Sequence, residues 1–425
     1  IGLAPWPPVH WLLFDVIWKH PLQVLVALLV SAGWVYLVLN SPTRRRTLTA
    51  LGAGSLAILI LILYIIWSNA LVRAYLARGL EPVALPALPE TSEVRFLPLE
   101  VAQRYAGNRL QDPRLRVGDL DPLDIEGELI WIAPRVPNGL FNSLARQADG
   151  FLLVHPDGAV RSVAQAMRYG EGMAVTDAIR WPLWRGRYLV DLPEVFYAPA
   201  GEGFLAIAPY VGYRFRFPVQ VPYWAGVFVV HADGAVEDLS PAEAVADERL
   251  AGLPLYPEAL SRRIADAWGY RGGVFNAWFT HLDQTKVPRL PGPNQMPYLL
   301  PTADGPQWFF GLEPYGPSFS IFKVMFVDAH DGTLRLHELP ADSALIGPDK
   351  ALGYVRSAFP NFQWYSDSGD EASGNVLAIE PRPLIRAGRL YWLTSITSID
   401  YAGVTRSVVV DAATNEVRYL ESQAE

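Results

Sequence analysis

Imidazole and carboxylate groups recur side by side in this chain: His155 two residues before Asp157, His231 two before Asp233, and His330 next to Asp331. Such pairs are the raw material of a divalent-metal site, but a site needs three or four ligands to converge. These pairs stand in separate stretches, so the sequence assigns them to polar turns. "YSDSGDEASGN" (365–375) sets Asp367, Asp370 and Glu371 around Gly369 without the alternating oxygen ligands and terminal bidentate Glu of a calcium loop. "DLDPLDIEGE" (119–128) holds Asp121, Asp124, Glu126 and Glu128. Paired carboxylates can perform acid–base hydrolysis; here loop or edge protection is the simpler role. The chain has no G-x-S-x-G, H-E-x-x-H or G-x-x-x-x-G-K motif. The expectation is a non-enzymatic chain without cofactor or metal, with a metal-dependent hydrolase using the acidic loops as an alternative.

The richest run of exposed-looking polar residues is "WFTHLDQTKVPRLPGPNQMPYLLPTADGPQW" (278–308). Long proline-studded segments inside a domain tend to be functional. It reads as an arm held against another subunit, with His281, Asp283, Lys286, Arg289, Asn294 and Tyr298 as partner-binding residues. The aromatic stretch "YVGYRFRFPVQVPYW" (210–224) is a second candidate contact surface, or a pair of buried strands.

Four related hairpins organise the rest: "LLVHPDGAV" (152–160), "VFVVHADGAV" (227–236), "MFVDAHDGTL" (325–334) and "VVVDAATNEV" (408–417). Asp-Gly at the turn predicts type I′ geometry, with Asn415 serving in the last copy. Each is preceded by an aromatic strand-like run, at 129–134, 204–211, 307–314 and 390–396. Helical periodicity marks 97–110, 257–269 and 348–359, and weakly 160–170. The predicted fold class is α+β, with small antiparallel sheets each crossed by a helix.

The last unit, from "PDKALGYVRSAFPNFQW" to "SVVVDAATNEVRYL", resembles a PepSY-type domain through Phe359-Pro360 and Val410-Asp411 to Val417, with Asn415 where that family has Gly. The third unit shares "FVDAHDGTL". The resemblance implies extracytoplasmic modules of membrane-bound or secreted proteins, some proposed to restrain peptidases, and supplies no catalytic residue.

Those elements need an anchor, and the N-terminal fifth provides one. Pro21–Leu39 and Thr47–Val72 carry no charged residue and are long enough to cross a bilayer. Gly52 and Gly54 permit close helix contact. Arg44, Arg45 and Arg46 between the spans place that loop in the cytoplasm, and both termini outside it in a cell envelope. "WPPVHWLLFDVIWKH" (6–20) reads as an amphipathic interfacial stretch, or as a helix packed on a partner.

The predicted organisation is an interfacial segment (1–20), a two-helix anchor (21–72), a stalk (73–94) lifting the folded part off the bilayer, and four modules. These span 95–170, 171–245, 246–340 with the arm, and 341–425. The formal charge is −8; Asp15 and Lys19 cancel and the three loop arginines add +3, leaving −11 on residues 47–425. That balance argues against nucleic acid. With no cysteine, the exterior part is held by burial alone. The partners implied are the bilayer and other protein subunits, a homo-oligomer among them. The role implied is a scaffold or accessory subunit, with restraint of an envelope peptidase as the alternative.

Overall fold

The computed structural model describes residues 6–40, 44–91, 97–125, 127–201, 203–290, 294–318, 320–340, 343–365, 374–400 and 403–420. A short helix α1 (Pro7–His10) runs directly into π-helical turns (Trp11–Trp18), followed by α2 (Pro21–Leu39) and α3 (Arg44–Arg78). Pro21 opens α2 at the position where a missing N–H costs nothing. Its 19 residues, mostly leucine, valine and alanine, extend about 28 Å. Gln23 Nε2 donates to Ser68 Oγ at 2.9 Å. Farther along, the Trp34 indole occupies the space a Cβ on Gly54 would need, so the helices are antiparallel and Gly54 is what lets them close. Gly52 faces open space. Both helices are long and apolar enough to cross a membrane, and almost none of their apolar windows is covered by the rest of the chain.

α3 does not stop at the second span. Ala70, Ala74 and Ala77, spaced to share one helix face, are buried where the last turns of α3 meet the folded part. Among the described residues, 73–91 therefore form no free stalk. Residues 73–78 are helix, and β1 (Val83–Ala84) pairs in parallel with Arg335 and Leu336. Beyond it Leu85 N donates to the Leu336 carbonyl at 2.8 Å, Leu88 enters the core, and Thr91 exchanges hydrogen bonds with Ile385. Pro82, Pro86 and Pro89 fix extended φ values, and an extended chain along a strand edge satisfies its backbone there rather than in water.

The remainder is α+β, built on antiparallel sheets in chain order. After α4 (Leu99–Arg109) comes a sheet of β2 (Leu115–Val117), β3 (Asp121–Ile125), β4 (Glu128–Pro137), β5 (Gly150–Val154) and β6 (Val160–Ala164), with α5 (Leu140–Ala145) in the β4–β5 connection. α6 (Arg180–Gly186) precedes β7 (Phe196–Ala200), β8 (Gly203–Arg216), β9 (Val219–Val230) and β10 (Val236–Leu239). α7 (Pro241–Ala246), capped reciprocally by Ser240 and Glu243, leads to α8 (Glu258–Trp268) and α9 (Gly273–Phe275). The third sheet holds β11 (Thr285–Lys286), β12 (Tyr298–Thr302), β13 (Gly305–Pro314), β15 (Lys323–Asp328) and β16 (Leu334–Glu338). β14 (Ser320–Ile321) pairs with β17 (Leu345–Ile346). After α10 (Pro348–Ala358) come β18 (Val376–Arg386), β19 (Arg389–Ser398), β20 (Val404–Asp411) and β21 (Val417–Tyr419).

One apolar core joins the first two sheets, with Ile132, Phe151, Tyr197 and Phe228 at its centre; another joins the last two through Phe309, Phe326 and Trp392. Two sequence readings need correction. Residues 160–164 are strand β6, because the Asp157-Gly158 turn directs the chain back along β5, and the second sheet's helix is α6. The hairpin turns are also not type I′: only Gly158, Gly234, Gly332 and Asn415 take positive φ, and no preceding Asp does. In the first two, Gly158 N and Gly234 N bond the carbonyls of His155 and His231, a type I turn closed by a left-handed glycine. The later two are one residue longer, with Gly332 N and Asn415 N reaching back four residues to Asp328 and Asp411.

Candidate functional site

In the 278–308 arm, most of the residues assigned to partner binding are engaged within this chain. His281 stacks on Tyr315 with ring centroids 4.1 Å apart and pairs with Gln284 at 2.6 Å. Asp283 meets Lys323 at 3.1 Å, and Lys286 donates to the Gly316 carbonyl at 2.8 Å. Arg289 is exposed. Asn294 and Tyr298 point inward, contrary to their assignment as partner contacts. Asn294 Nδ2 donates to Glu380 Oε1 at 2.5 Å, and Tyr298, 1% exposed in β12, lies 5.2 Å below the Arg382 guanidinium. Tyr298 belongs to a strand whose burial runs through all five residues, which leaves no solvent-facing side.

Sequence reasoning missed the centre of this arrangement. Glu380 sits at a β-bulge with φ of 50° and forms an ion pair with Arg382 at 3.2 Å, their side chains 6% and 7% exposed. The other Glu380 oxygen accepts from Leu99 N at 2.8 Å, capping α4 where Pro98 offers no side-chain acceptor. Burial pushes the Glu380 carboxyl up and the Arg382 guanidinium down to about 10. Three segments far apart in the chain, at Leu99, Asn294 and the Glu380–Arg382 strand, therefore meet on one carboxylate. The only sequence signal was an acid and an arginine two apart in an otherwise apolar strand.

The histidines of the turns are engaged separately: His155 with Glu128 at 3.0 Å, His231 with Glu237, and His330 with the Leu253 carbonyl at 3.0 Å. Asp124 accepts from Gly127 N in its turn. Glu126 and the 366–373 loop with Asp367, Asp370 and Glu371 lie outside the described residues. Among the described residues no group of three or more His, Asp or Glu is arranged to hold a metal ion. Burial raises the carboxyls of Asp121, Glu194 and Glu258, and that of Glu171 to about 7; Asp121 lies within electrostatic reach of the other three, and Glu194 of Glu258.

The most elaborate site is where the helical pair meets the sheets. One face of the N-terminal segment covers the second sheet's surroundings: His10 stacks on Trp184 at 3.9 Å and bonds the Tyr188 carbonyl, Phe14 is fully buried, and Lys19 reaches Asp191 at 2.9 Å. Its other face exposes Trp6, Trp11, Leu12, Leu13, Ile17 and Trp18. Its covered face packs on this chain itself. The outer half of the β8–β9 hairpin, within the 210–224 stretch, projects beside α3: Tyr75 Oη donates to the Phe217 carbonyl, and the Phe217 side chain is 74% exposed. After α9, Trp278 meets Trp67 of α3 edge-on at 5.5 Å, leaving Phe275 and Phe279 outward. Three apolar surfaces thus surround the end of α3 opposite the arginine loop.

Between them lies a cavity of about 790 Å³. Its walls come from the N-terminal segment, both long helices, the projecting hairpin and α8. No family model, curated protein or solved structure matches this chain. The arginines 44–46 open α3, and their side chains lie outside the described residues.

Proposed function

We propose that this protein is a non-enzymatic extracytoplasmic scaffold or accessory subunit of a larger envelope complex, built of tandem PepSY-like units and anchored by α2 and α3. The observation that carries this reading is the outward apolar surface of the two helices. Leu28, Leu29, Ile58 and Leu63 are more than half exposed, a surface that water penalises and lipid accommodates. The N-terminal segment and the sheets lie at the opposite end of this antiparallel pair from Arg44, Arg45 and Arg46, which supports an extracytoplasmic folded part under the positive-inside rule. α3 passes rigidly into the sheets, so the folded part is held at a fixed height and orientation above the membrane, which suits a subunit that positions others. The exposed α5 side chains Leu140, Phe141 and Leu144 give such a subunit an apolar contact surface.

Two measurements test the proposal. Protease added to intact cells is expected to digest the folded part while sparing the arginine loop; protection of the folded part until the cells are opened refutes the orientation. Native mass spectrometry after mild solubilisation is expected to show the chain bound to other subunits. A lone monomer at cellular abundance refutes the scaffold role.

A further inference from the structure

Two loops beside the long helices turn bulky apolar side chains to the outside on turns that are braced from within. Phe215 and Phe217, at the outer end of the β8–β9 hairpin, and Phe275, Phe279 and Leu282, on and after α9, are each more than half exposed. Neither loop is slack. Tyr75 Oη holds the hairpin by the Phe217 carbonyl at 2.9 Å, and the Gln220 amide reaches the Trp18 carbonyl at 3.4 Å. In the other loop Asn276 Oδ1 accepts from Leu282 N while its Nδ2 donates to the Leu282 carbonyl, both at 2.9 Å. The exposure thus belongs to ordered turns, and water penalises it.

The level of the loops along the helices says what covers them. The 19 residues of α2 match a hydrocarbon thickness of roughly 30 Å, so the Gln23–Ser68 hydrogen bond lies near the outer boundary of the lipid core. Trp67, one residue inward of Ser68, meets Trp278 edge-on at 5.5 Å, which sets the α9 loop at that boundary. Tyr75 is seven residues outward of Ser68, roughly 10 Å along the axis. A helical side chain leans toward the helix N-terminus, here the membrane side, so the Tyr75 hydroxyl and the Phe217 it holds lie lower than that. Both tips fall in the interfacial layer, where aromatic rings are favoured. Charge agrees with this placement. The chain carries −8 overall, yet 210–224 holds Arg214 and Arg216 and 267–282 holds Arg271, with no acidic residue in either stretch. Arginine beside an apolar tip suits lipid phosphate.

We infer that the β8–β9 tip and the α9 loop are membrane-inserting loops: Phe215 and Phe217 on one, and Phe275, Phe279 and Leu282 on the other, enter the outer lipid interface beside the helical pair. The inference rests on the proposed reading of α2 and α3 as membrane spans. Together with the exposed tryptophans of the N-terminal segment, the two loops fix the tilt of the folded part against the bilayer, which a pair of helices by itself leaves free to rock.

The chain has no cysteine, so Phe217→Cys and Phe279→Cys each place a single environment-sensitive fluorophore on one loop of the full chain in lipid nanodiscs. Ala235→Cys is the water-facing reference, exposed beyond the far end of β9, whose 12 residues put it roughly 40 Å from the tip. Both loop probes are expected to emit to the blue of the reference, to be quenched by lipid carrying a nitroxide near its headgroup, and to lose most of their quenching by aqueous iodide. A loop probe as sensitive to iodide as the reference overturns the proposal. So does one shielded from both quenchers, which places a second copy of the chain on that face. Phe215→Ser with Phe275→Ser, both at exposed positions, should leave the thermal midpoint in detergent unchanged and raise iodide quenching of both probes. Unchanged quenching means that the fluorophore and not the loop seeks lipid, and overturns the assignment. A probe on Leu28→Cys, midway along α2, separates the two levels of failure. If nitroxide deep in the acyl chains quenches it while the loops face water, insertion of the loops alone is refuted; if it too faces water, the spans and the loops fall together.

Discussion

Replacement of Glu380 by alanine is the most informative single perturbation of this fold. The carboxylate accepts from Leu99 N at 2.8 Å and Asn294 Nδ2 at 2.5 Å and faces Arg382 at 3.2 Å, all in an environment that excludes water. Removing it strands a guanidinium that is 7% exposed, a change that costs about 3–5 kcal/mol when a buried pair loses one partner. The orphaned Leu99 N–H and Asn294 amide add to this, each by about 1–3 kcal/mol if neither finds water. These losses overlap, so a total of about 4–6 kcal/mol is the working figure. For a folded part of this size it corresponds to a fall in Tm on the order of 10 °C.

Thermal unfolding of the detergent-solubilised chain, followed by tryptophan fluorescence, measures the effect. Hydrogen exchange at the first turn of α4 should report local loosening, since that helix end loses its cap. The double variant Glu380→Ala with Arg382→Met is expected to recover part of the loss, because it removes the stranded charge. A single-variant cost below about 1 kcal/mol, or a double variant whose losses simply add, would refute the idea that this pair is a shared buried junction.

Three further outcomes follow from the same structure. Ala74→Leu forces extra volume into the α3 face buried against the sheets and should destabilise by about 1–3 kcal/mol in a urea titration, whereas a true stalk would tolerate it. Gly332→Ala should cost at least about 1 kcal/mol by the same measurement, because φ there is 80° and the Tyr256 ring fills the space of the new methyl. Burial lifts the Glu171 carboxyl from 4.5 to about 7, so the folded state binds a proton that the unfolded chain has released across that window. Its contribution is therefore full below the unfolded pKa and is lost as pH rises through about 7. Thermal midpoints should rise from pH 7.5 to pH 5.5, and Glu171→Gln should flatten that rise.

The amino-acid order alone determined everything that depends on local period and composition. The two long apolar runs had to be helices that avoid water, and the helical faces at 99–109, 258–268 and 348–358 followed from a period of 3.6. The aromatic strand runs ahead of each turn were legible for the same reason. Turn chemistry was legible only in part: Asp-Gly located the hairpins, but whether one or two residues take positive φ depends on how the flanking strands close, as Gly158 and Gly332 show.

Tertiary structure alone decided the rest, because it joins groups that no local signal relates. Proline placement in 82–91 suits a free stalk as well as a bound strap, and only the open edge of β16 selects the strap. Glu380 reads as an ordinary strand carboxylate until Leu99, Asn294 and Arg382 converge on it. His10 and Lys19 find their partners only because the N-terminal segment folds back onto Trp184, Tyr188 and Asp191, far away in the chain. Hydrophobic pattern is written residue by residue, whereas the burial that gives a polar group its partner, or withholds one, is a property of the assembled chain.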